Sequence, residues 1–129
     1  MSDLFTKPSE SKLKLKYEGE KVSPLSCLYT PVRLLYYEII DSSLNKGKKL
    51  IVGQILIYNK KEEVLVKKLL MTESFGVLKT LHSAESENKP LPYDFKFIRN
   101  RKGFIMLEKL NKKEKSLLNR YYNNDISEL

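Results

Sequence analysis

At 129 residues and 41% hydrophobic, the chain has enough apolar material for one domain with its own core, without disulfides or metal as staples. Its single cysteine excludes an internal disulfide and suits a reducing, intracellular compartment. A formal net charge of +8, from 24 Lys+Arg against 16 Asp+Glu, makes polyanions the first class of partner to consider. The longest apolar stretches are broken by Arg33, Glu38, Gly53 and Gln54, so no membrane span is expected.

In chain order, residues 1–11 (MSDLFTKPSES) are polar and acidic, unlike a signal peptide, and predict a flexible N-terminal arm. A single domain is expected over residues 12–123. It opens with KLKLKYEGEK, which alternates strictly: Leu13, Leu15 and Tyr17 point one way, Lys12, Lys14 and Lys16 the other. Lysines on one face of a strand lie about 6.6 Å apart, a spacing that could follow an extended phosphate backbone. The same pattern also suits an edge strand whose lysines discourage sheet-to-sheet aggregation.

The next region is ambiguous. Thr30-Pro31 reads as a helix start and Asn45-Lys46-Gly47 as its end, yet VRLLYYEII and KLIVGQILIYN are dense in β-branched and aromatic residues. Two long antiparallel strands, about 33–41 and 49–58, are the favoured assignment, with Gly53 marking a bulge or a close backbone approach. EEVLVKKLLM is a candidate to extend the sheet, with the adjacent Glu62 and Glu63 pointing apart if they lie on a strand. SFGVLKTLHSAE predicts a short helix with Phe75, Leu78 and Leu81 on its buried face, and 85–92 is a loop.

A β-hairpin follows over YDFKFIRNRKGFIMLEK, turning near 100–103. Tyr93, Phe95, Phe97 and Arg99 share one face of it; Asp94, Lys96, Ile98 and Asn100 share the other. Phe95 and Phe97 are either buried together or, if a cleft leaves Tyr93 or Phe97 open, rings on which bases stack beside Lys96, Arg99, Arg101 and Lys102. Asn111 caps a last helix with Glu114 in the capping-box position and Leu117, Leu118, Tyr121 and Tyr122 as its apolar stripe. Residues 124–129 form a flexible acidic tail in which Asp125, Ile126, Glu128 and Leu129 are candidates for protein contacts, an unstructured terminus being the alternative. The fold class expected is α+β: an antiparallel sheet with a few short helices, and not an oligonucleotide-binding barrel.

Catalysis is not expected. One histidine, His82, and one cysteine, Cys27, cannot supply the usual zinc ligand set, nor the two metal-binding histidines of a paired-histidine nickase. Neither GxxxxGK[ST] nor GxGxxG occurs, and the carboxylates show no two-metal spacing. No cofactor and no metal is expected.

In length, in Lys/Tyr/Ile-rich composition, in the KLKLKYEGEK start, the SSLNKGKKLIVGQILIYN middle and the DISEL end, the chain resembles the small single-stranded-DNA-binding proteins of archaeal rod-shaped viruses (rudiviruses), which lack the oligonucleotide-binding barrel. The resemblance implies a homodimer with a basic groove for single-stranded DNA. It also implies a dispensable C-terminal tail for contacts with viral replication or processing proteins, and a place in the host cell cytoplasm. Two functions are therefore expected as alternatives. One is single-stranded-DNA binding through Lys12, Lys14, Lys16, Tyr93, Lys96, Phe97, Arg99, Arg101 and Lys102. The other is a non-enzymatic viral interaction protein, such as a host-defence inhibitor, whose basic surface docks on an acidic partner.

Overall fold

A computed structural model describes residues 17–43 and 45–127, with side chains described to Tyr122. Strand β1 (Glu20–Val22) leads into a 3-10 turn (Pro24–Cys27), then strands β2 (Val32–Asp41), β3 (Lys49–Asn59) and β4 (Val64–Thr72). Helix α1 (Phe75–Ser86), strands β5 (Tyr93–Arg99) and β6 (Ile105–Lys109) and helix α2 (Lys112–Ser127) complete the order. The class is α+β, a six-stranded sheet of order β1-β4-β3-β2-β5-β6 curled into a half-barrel with two helices. Strands β2 and β3 occur where the sequence places them, and they are antiparallel.

The sheet is mixed, where a wholly antiparallel one was expected, because β1 runs parallel to β4. The route of the chain explains this. Tyr17 is buried on the outer face with Val52 and Leu69, its hydroxyl donating to the Glu38 carboxylate at 3.0 Å. The Gln54 side chain accepts from the Glu18 N–H at 2.6 Å and donates to the Glu18 carbonyl at 2.9 Å, standing in for a strand neighbour. The chain then crosses β4 at Gly19, where φ is +96° and a Cβ would lie 2.0 Å from the Lys67 carbonyl oxygen. Only glycine can pass there. Beyond Val22 the 3-10 turn returns along the inner face to Leu28, which bridges Phe97, and the Tyr29 N–H donates to the Phe97 carbonyl at 2.8 Å. Residues 20–29 thus strap β4 to β5.

A bulge at Leu35 sets the two faces of β2. Leu34 pairs with Ile55 and Tyr36 with Gln54, leaving Leu35 as the extra residue. Val32 and Leu34 before it, and Tyr37 and Ile39 after it, all join the inner core with Ile51, Ile55, Leu70, Val77, Leu81, Phe95 and Phe97. Leu35 and Tyr36 both face outward, against Leu56 and Tyr17 respectively. Gly53 sits opposite Tyr37, and a Cβ there would meet Leu34 Cδ1 at 2.9 Å and Tyr37 Cβ at 3.3 Å. The close approach expected at this glycine lies beside a bulge on the neighbouring strand.

Helix α1 covers the inner face with Val77 and Leu81, while Phe75, expected in the core, is 75% exposed. The helix comes so close to β6 that a Cβ on Gly76 would lie 2.1 Å from the Ile105 carbonyl oxygen. That approach turns the Gly76–Val77 side inward and Phe75 out. Helix α2 covers the outer face with Leu118 and Tyr121, and its capping box forms as expected: Glu114 N–H to Asn111 Oδ1 at 2.8 Å, Asn111 N–H to Glu114 Oε1 at 3.0 Å. Its backbone stays helical to Ser127, so Asp125 and Ile126 stand in its last turn where a free tail was expected. Extending a formed helix costs far less than starting one. No helix among the described residues is long and apolar enough to cross a membrane.

Between the sheet and α2 lies an ion pair whose side chains are only 6% and 17% exposed, Arg33 Nε to Asp94 Oδ1 at 2.7 Å and Nη2 to Oδ2 at 2.8 Å. The guanidinium also donates to Asn119 and lies 4.8 Å from the centre of the Tyr122 ring. The bonds to Asp94 raise the guanidinium pKa, keeping it charged against the opposing effect of burial. Removing one partner of such a pair strands the other's charge. Asp94→Ala should lower unfolding free energy by about 3 kcal/mol in urea titration; a loss below about 1 kcal/mol would show the pair to be solvated like a surface bridge.

Candidate nucleic-acid interface

The β5–β6 hairpin carries most of the residues expected to bind nucleic acid, and the curl of the sheet separates them. Its alternation is as read from the sequence, but the face holding Tyr93, Phe95 and Phe97 is the inside of the half-barrel. Phe97 is wholly buried and Phe95 nearly so, the rings edge to face at 5.1 Å. Neither can receive a base. Tyr93 is half-buried against Tyr37, its hydroxyl donating to the Lys89 carbonyl at 2.8 Å. On the outer face, the Lys96 ammonium lies 3.2 Å from Glu114 and 3.4 Å from Glu108, which raises its pKa and occupies its charge. Tyr93, Lys96 and Phe97 therefore leave the candidate set.

Arg99, Arg101 and Lys102 remain, all exposed. Their turn is organised by Asn100, whose Oδ1 accepts from the N–H groups of Lys102 and Phe104, each at 2.9 Å. The turn backbone is thus held while its cationic side chains are left to solvent. Phe104 is 64% exposed beside them and Met106 43%. The strand reading overlooked Phe104 because it follows the turn and stands outside the alternating run; its place directly after Arg-Lys-Gly was the available signal.

Strand direction adds a second group. Since β2 runs antiparallel to both β3 and β5, those two strands run the same way, and the turns that follow them lie at the same end of the sheet. Two strand spacings across and two residues of stagger along the strands, about 12 Å together, separate the roots of these turns. The β3–β4 turn carries Lys60 and Lys61, shaped by Asn59 Oδ1 accepting from the Lys61 N–H at 3.0 Å. Glu62 and Glu63 occupy the same turn, where a strand was expected, and offset part of its charge.

Beside these turns a groove of about 760 Å³ opens between the strap, the end of β3 and the first turns of α2. Tyr29, Tyr58, Lys60, Lys61, Lys68 and Lys113 line it, with Cys27 at its inner wall. Lys68 is tied to Glu20 at 3.1 Å, and Glu114, also at the groove, is occupied by Lys96 and the helix cap. Among the described residues, no ion pair holds Lys60, Lys61, Lys113, Arg99, Arg101 or Lys102. Six cations are thus gathered around one end of the sheet. Among the described residues, no group of three His, Cys, Asp or Glu could hold a metal ion.

Lys12, Lys14 and Lys16 lie outside the described residues, as do Glu128 and Leu129; Asp125 and Ile126 are described in backbone only. No family model matches the chain, and neither a curated protein nor a solved structure does.

Two outcomes test this placement. Phe97→Ala should cost about 3–5 kcal/mol of stability as a core truncation, whereas Arg99→Ala with Arg101→Ala should leave the thermal midpoint within a few degrees, since exposed turn cations contribute little. A large loss in the double mutant would mean the arginines are structural. Burial also pushes the Cys27 thiol up to about 11, which keeps it protonated at pH 8. A disulfide reagent at that pH should therefore modify Cys27 far more slowly in the folded protein than in urea; equal rates would show the thiol to be open to the groove.

Proposed function

We propose that the protein binds single-stranded DNA across the end of the sheet where its two cation-bearing turns meet. The observation that carries this is the convergence of Lys60, Lys61, Arg99, Arg101, Lys102 and Lys113, none held by an ion pair among the described residues, beside the exposed ring of Phe104. Cations meet phosphates and release counterions, and an open aromatic face accepts an unpaired base. A duplex keeps its bases stacked within itself and would engage the cations alone. The sheet supplies this surface from its end, in a strand order with a strap across it, and so supports a platform other than the oligonucleotide-binding barrel. A homodimer, a role in viral genome replication or processing, and recruitment of viral proteins by the C-terminal residues belong to this reading through the resemblance to the rudiviral proteins.

A second reading, docking on an acidic protein, draws on Met106 lying exposed near Phe104, since a protein partner would cover apolar surface as well as neutralise charge. Gel shift or anisotropy with one sequence as single-stranded DNA, duplex and RNA separates the two. Single-stranded DNA should bind at least about tenfold tighter than duplex, the worth of one to two stacked bases. Its log K should fall with log salt at a slope near about −4 if all six cations contact phosphates. Equal affinity for duplex would remove the base contacts, and no binding to any strand would leave the acidic-protein reading.

A further inference from the structure

We propose that the groove beside the two turns is a subsite for one unstacked nucleobase, held against the ring of Tyr29; this rests on the single-strand reading above. Tyr29 has φ +62°, the left-handed region that a bulky aromatic residue rarely adopts. Its N–H bond to the Phe97 carbonyl, at 2.8 Å, fixes that conformation. The ring contributes to none of the buried clusters, and the residue is 60% exposed and lines the groove. Packing gives no reason for an aromatic side chain on this strained backbone, where asparagine or glycine would sit more easily. Strain of this kind concentrates at ligand sites.

The groove suits a base in size and chemistry. Its volume of about 760 Å³ falls within the usual range for small-molecule sites and leaves room for a base together with its sugar and flanking phosphates. Ile57, Val66 and Cys27 give apolar wall for a planar ring; the Thr30 hydroxyl oxygen and the side-chain amide nitrogen of Asn59, whose Oδ1 is held by its own turn, give polar groups for its edge. Lys60, Lys61 and Lys113 stand at the same groove, where the phosphates on either side of an inserted base would lie.

The test compares a short oligothymidylate with an abasic strand of the same number of phosphates, by anisotropy, for the native protein, Tyr29→Phe and Tyr29→Asn. Asparagine tolerates the left-handed backbone, and a thermal midpoint within a few degrees of native verifies the fold. The native protein should prefer the base-bearing strand by about 5- to 150-fold, the worth of one stacked base. Tyr29→Phe should keep that ratio. Tyr29→Asn should reduce it at least about fivefold while leaving affinity for the abasic strand unchanged. A native ratio retained in Tyr29→Asn overturns the subsite. Equal binding of both strands by the native protein also overturns it, yet leaves the phosphate contacts standing. Binding of neither strand overturns the single-strand reading itself, and the subsite with it.

Discussion

The two halves of the sheet are joined by a short seam, and the position of every candidate binding residue depends on it. Strand β2 pairs with β5 only where Val32, Arg33 and Leu34 meet Phe95, Asp94 and Tyr93. At the middle of that ladder Arg33 and Asp94 face each other and are bonded side chain to side chain, and α2 closes over them with Asn119 and Tyr122. Apolar residues of similar volume often match a buried ion pair in energy, but a planar fork matched to a carboxylate also fixes which residues lie opposite. Slippage by one residue would part the charges and turn Phe95 and Phe97 out of the core. The seam thereby sets the distance between the β3–β4 and β5–β6 turns.

With the register fixed, the curl sorts side chains by chemistry. Rings along β5 point inward, where Phe95 and Phe97 fill the half-barrel. Cations collect where strands end, because a turn beyond the last ladder bond exposes its side chains on all sides. Six like charges around one end repel one another, and Glu62, Glu63, solvent and salt moderate that repulsion only in part. On the proposed reading a polyanion would replace repulsion by attraction at turns already braced by Asn59 and Asn100.

Much of this arrangement was legible in the sequence. The β-branched density of β2 and β3, the Asn111–Glu114 capping box and the exposed Arg99 to Lys102 turn rest on local rules, and the structure follows them. The helix–strand ambiguity of VRLLYYEII came from its flanks: Thr30-Pro31 leads into β2 instead of a helix, and Asn45-Lys46-Gly47 belongs to the β2–β3 turn, where Gly47 has φ +89°. What local patterns could not express is which face of an alternating strand is inside. Phe97 and Arg99 have the same parity, yet one lies under the strap and the other stands exposed at the last pair of the β5–β6 ladder. Tyr29 and Lys113 were invisible as a pair because the strap and α2 meet only through tertiary packing. Phe75 left the expected apolar stripe because the backbone of β6 passes beside Gly76.

The threading of the strap has a consequence for how the protein is made. Residues 17–29 leave the ribosome ahead of everything described after them, but their partners are Val52, Gln54, Lys67, Lys68 and Phe97. Until β4 is in place Gly19 has nothing to cross, and until β5 is in place Tyr29 has no carbonyl to bond. Contacts so distant in sequence carry a large closure entropy and form late. This early-synthesised segment is therefore among the last to settle, and the groove, which takes one wall from it, comes into being only when the fold is nearly complete. A nascent or partly unfolded chain would carry the cationic turns without the groove, so its hold on a polyanion would be by charge alone.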